Sequence, residues 1–289
     1  MTFVMSKLIL ITGTSTGFGK LMATTLAAAG HTVIASMRGT TGKNAAVAQE
    51  LAAIPNVEVV ELDVTSDASV QQAVAQILAK HGRIDVLVNN AGITGYGLVE
   101  AFSIDRVREM FEVNFYGVLR TYHAVLPAMR QAKHGLVINL TSGASGHTLP
   151  FMGPYLASKF AVESITEGIQ EELRNYHIEN VTIQPGVYPT EMTDGTKTTT
   201  NADRADIEAE YGEASVAQFN SLVGGLISQM VAHQMNPQTI ADGVLKLVNM
   251  PDGTRPLRFP LDAIAEGTDQ EFIDARASIK AKWLAKYAA

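Results

Sequence analysis

The sequence predicts an α/β protein, a doubly wound parallel sheet of about seven strands with helices on both faces. Three observations carry this. Short β-branched runs alternate with longer helical patterns from Lys7 to about Asn180. The runs are near-continuously apolar, as strands covered on both faces should be. A glycine-rich turn follows the first run directly and opens a helix, and strand–helix alternation with right-handed crossovers builds such a sheet.

The strand candidates are LILIT (8–12), TVIAS (32–36), VEVVEL (57–62), DVLVN (85–89), LVINL (136–140) and VTIQ (181–184). Between them, helical patterns span 18–29, 43–53, 67–81, 103–131 and 154–176. Gly30 sits where a helix C-cap glycine belongs, and Thr65-Ser66-Asp67 offers N-cap chemistry to the third helix. Residues 187–235 break the alternation: a polar, turn-rich stretch precedes an amphipathic pattern interrupted by Gly224-Gly225. The expectation is an insertion over one edge of the sheet. Ile240–Asn249 continues as a helix and Leu257–Pro260 as a last strand. With no low-complexity linker and no internal repeat, residues 1–289 are expected to form one domain.

Composition narrows the function. The 289 residues are 46% hydrophobic and 18% charged, with a formal charge of −7, which argues against a nucleic-acid partner. The absence of cysteine excludes disulfides, thiolate nucleophiles and cysteine-ligated metals. The seven histidines show no metal-ligand spacing, so no metal is expected. No apolar run reaches the roughly 18–20 residues that span a bilayer. The apolar stretch after Lys7 reads as a buried strand instead of a signal peptide, with Met5 as the natural start and residues 1–4 as an upstream extension. A cytoplasmic location is expected.

The turn after the first strand is Thr12 followed by Gly13, Thr14, Ser15, Thr16, Gly17, Phe18 and Gly19. Glycine permits a tight turn and close approach to a pyrophosphate, and the helix N-terminus then points free N–H groups at the anion. A dinucleotide is therefore expected. An NAD site carries Asp or Glu at the end of the second strand; this chain has Ser36, Met37, Arg38, Gly39 and Thr40 there. With no carboxylate and with Arg38, Ser36 and Thr40 available to a 2′-phosphate, NADP(H) is favoured over NAD(H). Asp63 and Val64 end the third strand, an acid there being able to accept from an adenine amino group. Asn89, Asn90, Ala91 and Gly92 close the fourth, where small residues and amides let a cofactor near the backbone.

Tyr155 and Lys159 lie four residues apart in a helical pattern, so they project from one face about a turn apart. An ammonium beside a phenol favours the phenolate and would draw its pKa down from about 10. Such a pair suits proton transfer.

TGTSTGFG (12–19), Asp63, NNAG (89–92), Asn114 in FEVNFYG, Ser142 in INLTSGASG, YLASK (155–159) and PGVYPT (185–190) together resemble the short-chain dehydrogenase/reductase family over about residues 7–190. STGFG and the late segment GTRPLRFPLD are similar to its hydroxysteroid- and retinol-dehydrogenase-like branch. The resemblance implies a Rossmann-type fold and a hydride transfer between nicotinamide and a secondary alcohol or ketone. It makes Tyr155 the general acid/base, and Lys159 its activator and a ligand of the nicotinamide ribose. It places Ser142 on the substrate oxygen and Asn114 beside a water leading from Lys159 to solvent. Pro185, Gly186, Val187 and Thr190 would cover the nicotinamide.

Residues 187–235 then become a substrate lid. Gly143, Ala144, His147, Phe151, Met152, Tyr188, Met192 and Phe219 are the candidate lining of a pocket for a small carbonyl or alcohol substrate. The family also implies a homodimer or homotetramer, to which Tyr122, Leu126, Met129, Phe160 and Ile169 are candidate contributors, with core packing as the other explanation. Two further functions share this frame. A sugar-nucleotide epimerase would show TGxxGxxG and a larger C-terminal region, and a non-catalytic NADP(H)-sensing or scaffold protein would bind without turnover.

Overall fold

The apolar run after Lys7 forms β1 (Leu8–Thr12), every residue of which is buried. It leads through the glycine turn into α1 (Gly17–Ala28), ended by Gly30 at φ +90°. The chain continues as β2 (Thr32–Met37), α2 (Ala45–Ala52), β3 (Val57–Glu61), α3 (Asp67–His81) and β4 (Val86–Asn89). Then come α4 (Ile104–Phe111), α5 (Gly117–Ala132), β5 (Gly135–Leu140), α6 (Gly153–Leu173) and β6 (Ile178–Pro185). The remainder is α7 (Ala205–Ala232), α8 (Gln238–Asn249), β7 (Arg258–Leu261) and α9 (Thr268–Leu284). The computed structural model describes residues 6–193 and 200–287.

All seven strands are parallel, in the order β3-β2-β1-β4-β5-β6-β7. Ile9 of β1 lies between Val33 of β2 and Val86 of β4, so the strand order reverses at β1. That reversal opens a crevice at the strand C-termini, where doubly wound sheets bind ligands. On one face Ile9, Ile11 and Val33 pack against Met22 and Leu26 of α1 and Val244 of α8. On the other, Leu10 and Leu87 meet Ile77 of α3, Val125 and Met129 of α5 and Val162 of α6.

Two local expectations change, and one that was open is decided. The helix expected over 103–131 is broken: a π-helical turn, Glu112–Tyr116, separates α4 from α5, and Asn114 sits in it. Ser103 caps α4 by accepting from the Arg106 N–H at 3.2 Å. Tyr122, Leu126 and Met129 belong to the core, not to an outer face, and the Tyr122 hydroxyl donates to Asn180 Oδ1 at 3.1 Å. Phe160 keeps 37% of its surface exposed, and Ile169 is half-buried against the core. Lastly, α9 follows β7 although its sequence shows no clear apolar stripe. Its acidic first turn (Asp269, Glu271) and Lys282 in the last turn suit a helix, yet none of its residues is buried.

The expected lid spans residues 187–193, 194–199, which lie outside the described residues, and then 200 onward. The segment from residue 200 pairs with the loop after β4: the Thr200 N–H donates to Thr94 O at 2.6 Å and the Ala202 N–H to Tyr96 O at 3.1 Å. Gly95 makes this possible, because a Cβ there would stand 2.1 Å from Thr200 O. Helix α7 bends at Gly212 (φ 73°) and carries Phe219 edge-on against Phe151, with ring centres 5.5 Å apart. Among the described residues no helix is long and apolar enough to cross a membrane, and no cluster of histidines and carboxylates could hold a metal.

Candidate active site

A cavity of about 660 Å³ runs along the strand C-termini. Its floor is the glycine turn. Gly13 takes φ +72°, and a Cβ there would stand 2.8 Å from Ala91 Cα, so β1 and β4 close on each other only through glycine. The Asn90 amide locks this approach, its Nδ2 donating to Thr12 O at 2.8 Å and Gly13 O at 2.9 Å. Gly19 seats α1 on the same spot, because a Cβ would fall 2.2 Å from Gly13 O. Ser15, Thr16, Gly17 and Phe18 face the cavity beside the free N–H groups of α1. Thr14 and Gly19 do not line it. Thr14 is buried and its hydroxyl donates to Ser36 O at 3.2 Å, which ties β1 to β2.

At the far end of the floor, Arg38 and Lys43 face the cavity, and among the described residues neither makes an ion pair. Sequence reasoning named Arg38 and missed Lys43, which stands five residues on, where a helix had been expected. Ser36 and Thr40 depart from expectation. Ser36 is fully buried and donates to Ile11 O at 2.9 Å. The Thr40 hydroxyl and the Gly39 and Thr40 N–H groups are taken by the Glu61 carboxylate. Asp63 and Val64 both line the cavity. Burial alone would raise the Asp63 pKa, but the Thr65 N–H and hydroxyl, at 2.9 and 2.7 Å, and the positive charges of Arg38 and Lys43 outweigh it and hold Asp63 below its ordinary range. A glycine-lined cradle ending in two cations fits a dinucleotide.

At the other end Tyr155 and Lys159 project from α6 and Ser142 from the turn after β5. Ser142 lies beside the Tyr155 phenol, close enough to lower its pKa, and its Oγ accepts from the Ala144 N–H at 3.2 Å. Lys159 Nζ donates to Leu140 O at 3.0 Å and stands 5.9 Å from the centre of the Tyr155 ring. The expected depression of Tyr155 by Lys159 is not what the protein's own groups produce. Burial pushes the Tyr155 phenol well above its ordinary value and the neighbouring Tyr96 adds to this, while the Ser142 hydrogen bond opposes both. Burial likewise draws Lys159 down to about 8. Desolvation leads both shifts, and the ammonium is turned to the Leu140 carbonyl.

Asn114 is buried and does not line the cavity. Its Oδ1 accepts from the Ile93 N–H and its Nδ2 donates to Ile93 O and Ser158 Oγ, all at 2.9 Å. The π turn thus grips the loop after β4 and the helix bearing Tyr155. Gly92 brings that loop close, since a Cβ would lie 3.2 Å from Asn114 Oδ1 and 3.4 Å from Lys159 Nζ.

Pro185, Gly186, Val187 and Thr190 line the cavity opposite the glycine turn. Met152, Tyr188 and Met192 also line it, although Tyr188 is largely committed to the core: its ring meets Phe18 edge-on and its hydroxyl donates to Leu261 O at 2.9 Å. Gly143, Ala144, His147, Phe151 and Phe219 stand outside the cavity wall. His147 packs edge-on against Phe272 of α9, a helix absent from the sequence reading. Thr94, Tyr96 and Val113 are wall residues that the sequence reading missed. Their signal was position alone: two follow NNAG and one precedes Asn114.

Comparison with known proteins adds four findings. Residues 7–201 match the family model described as short chain dehydrogenase. A 3-ketodihydrosphingosine reductase from Bacteroides thetaiotaomicron is 39% identical over 204 residues, covering 69% of this chain and 72% of that protein. Human retinol dehydrogenase 8 is 34% identical over 190 residues (64% of this chain, 60% of that one), in keeping with the branch named from STGFG. Among solved structures, a short-chain dehydrogenase from Streptomyces avermitilis superposes with a TM-score of 0.77 at 28% identity, each chain covered to 98%.

Proposed function

The chain belongs to the short-chain dehydrogenase family, and from that premise we propose that it is an NADP(H)-dependent oxidoreductase interconverting a secondary alcohol and a ketone. One observation carries the reading: a single cavity holds Ser142, Tyr155 and Lys159 at one end and Arg38 and Lys43, unpaired among the described residues, at the other. Gly13, Ser15, Thr16, Gly17 and Phe18 would hold the pyrophosphate, Asp63 and Val64 the adenine, and Arg38 with Lys43 the 2′-phosphate. Lys159, Pro185, Gly186, Val187 and Thr190 would hold the nicotinamide end. When bound, NADPH supplies the hydride.

The chain's own residues supply the rest. The Ser142 and Tyr155 hydroxyls donate to the carbonyl oxygen, which gains charge as its carbon is reduced. The phenol then gives its proton to that oxygen, and a raised Tyr155 pKa keeps the phenol protonated for this step. Lys159 stands on the same face of α6 to favour the phenolate left behind. Asn114 fixes the geometry between α6 and the loop after β4. Met152 and Met192 in the wall, with residues 187–235 as lid, suit an apolar carbonyl compound. The similarity to proteins named 3-ketodihydrosphingosine reductase and retinol dehydrogenase supports that class. A cytoplasmic homodimer or homotetramer, built as one domain, completes the proposal.

Loss of nicotinamide absorbance with a panel of apolar ketones tests it. Turnover with NADPH favoured over NADPH-free or NADH conditions is expected. Tight NADPH binding without turnover on any ketone would favour a nucleotide-sensing role instead.

A further inference from the structure

Tyr155, Lys159, Glu163 and Glu167 recur every four residues along one stripe of α6. The first two face the cavity. The second two belong to an ionic network behind Ser142, buried at Glu163 and Arg258 and open to solvent at its far end, and the proposed reaction makes no use of it.

Glu163 is 2% exposed and its partner Arg258 of β7 is 7% exposed. Glu163 Oε2 accepts from Arg258 Nε at 3.0 Å. Its other oxygen, Oε1, accepts from Thr141 Oγ1 at 2.7 Å and Gln184 Nε2 at 2.8 Å, and Ser145 Oγ stands 3.3 Å from it. Thr141 and Ser145 bracket Ser142. The Ser145 hydroxyl also reaches the carbonyl of Ser142 itself at 2.5 Å. One buried carboxylate oxygen therefore holds Thr141 at one end of the turn that carries the serine and lies against Ser145 at the other. A buried ion pair is a costly way to fill space, since apolar residues of similar size are often as stable or more so.

Arg258 also pairs with Glu167, which takes Arg276 (at 3.1 Å) and Lys280 from α9. Phe272 of α9 closes over the outer side of the same turn, where a Cβ on Gly146 would stand 2.6 Å from its ring. Helix α9 buries no residue of its own, so this patch is where it holds to the body.

We infer that Glu163, clamped by Arg258, is a positioning residue that sets the Ser142 hydroxyl against Tyr155. The inference rests on the proposed role of Ser142 and Tyr155. Glu163→Gln tests it, with Ser145→Ala as a milder variant that leaves the ion pair intact. Both are expected to lower kcat for NADPH-dependent ketone reduction about tenfold or more while the Kd for NADPH stays within twofold. Neither should lower kcat further in a Ser142→Ala background. In 13C-tyrosine-labelled protein, the Tyr155 ring signal, assigned with Tyr155→Phe, should move in both variants toward its position in Ser142→Ala. A loss of melting temperature with an unmoved Tyr155 signal and an unchanged kcat per folded molecule overturns the inference. Should the wild-type protein reduce no ketone, the functional reading fails, and the Tyr155 signal still decides whether Glu163 positions Ser142.

Discussion

Tyr155 illustrates how burial and chemistry pull on the same group. In the protein by itself the phenol is pushed up by desolvation, which suits a proton donor and disfavours a base. Tyr155→Phe keeps the ring and removes the proton, so turnover should fall about 10²–10⁴-fold, the scale of general acid–base catalysis, while NADPH fluorescence titration shows near-normal binding. Lys159 has a measurable signature in stability. Its folded pKa of about 8 lies below the ordinary 10.5, so between those values the unfolded chain binds more protons and stability rises with pH. Relative to Lys159→Met, wild-type unfolding free energy should gain on the order of 3 kcal/mol from pH 8 to 10.5, at about 1.4 kcal/mol per unit. Urea titrations at the two pH values check the slope. At the far end, Arg38→Ala and Lys43→Ala should each raise the KM for NADPH about tenfold, roughly 1.4 kcal/mol, and leave that for NADH unmoved. Ser36→Ala, whose hydroxyl is spent on Ile11 O, should leave the cofactor ratio alone.

Among the elements, the π turn between α4 and α5 does the most to assemble the site. By adding a residue to one helical turn it directs Asn114 inward, against Ile93 and Ser158. Asn114→Ala strands the Ile93 N–H and C=O, each costing about 1–3 kcal/mol when left unpaired. A fall in the urea midpoint together with reduced kcat is the expected result. An unchanged midpoint would show that water replaces the amide. The segment from residue 200 relies on glycine likewise: Gly95 admits the Thr200 carbonyl close against the loop after β4.

Across the whole molecule, chemistry and stability occupy opposite ends of the sheet. The cavity is at the strand C-termini, whereas Arg255 closes the other end. Its guanidinium is buried, paired with Glu179 and donating to Leu247 O at 2.7 Å and Met250 O at 2.6 Å. Arg255→Ala breaks a buried pair and should cost about 3–5 kcal/mol in denaturant titration, with the KM for NADPH unchanged in the folded fraction.

The strand segments, the glycine turn and the i, i+4 pair on α6 were readable from the chain because each is a local pattern with a steric or periodic cause. Apolar runs demand two covered faces, and Gly13 and Gly19 stand where only hydrogen fits. Which way a side chain turns at a strand end, in contrast, is set by partners distant in sequence. Ile11 O takes the Ser36 hydroxyl, Leu261 O takes that of Tyr188, and Phe272 takes His147. Helix α9 escaped notice because it packs by ion pairs and one aromatic ring, leaving no apolar stripe to read. The pKa of Tyr155 belongs with these: spacing brings an ammonium near, but the depth of burial, a property of the packed molecule, decides the direction of the shift.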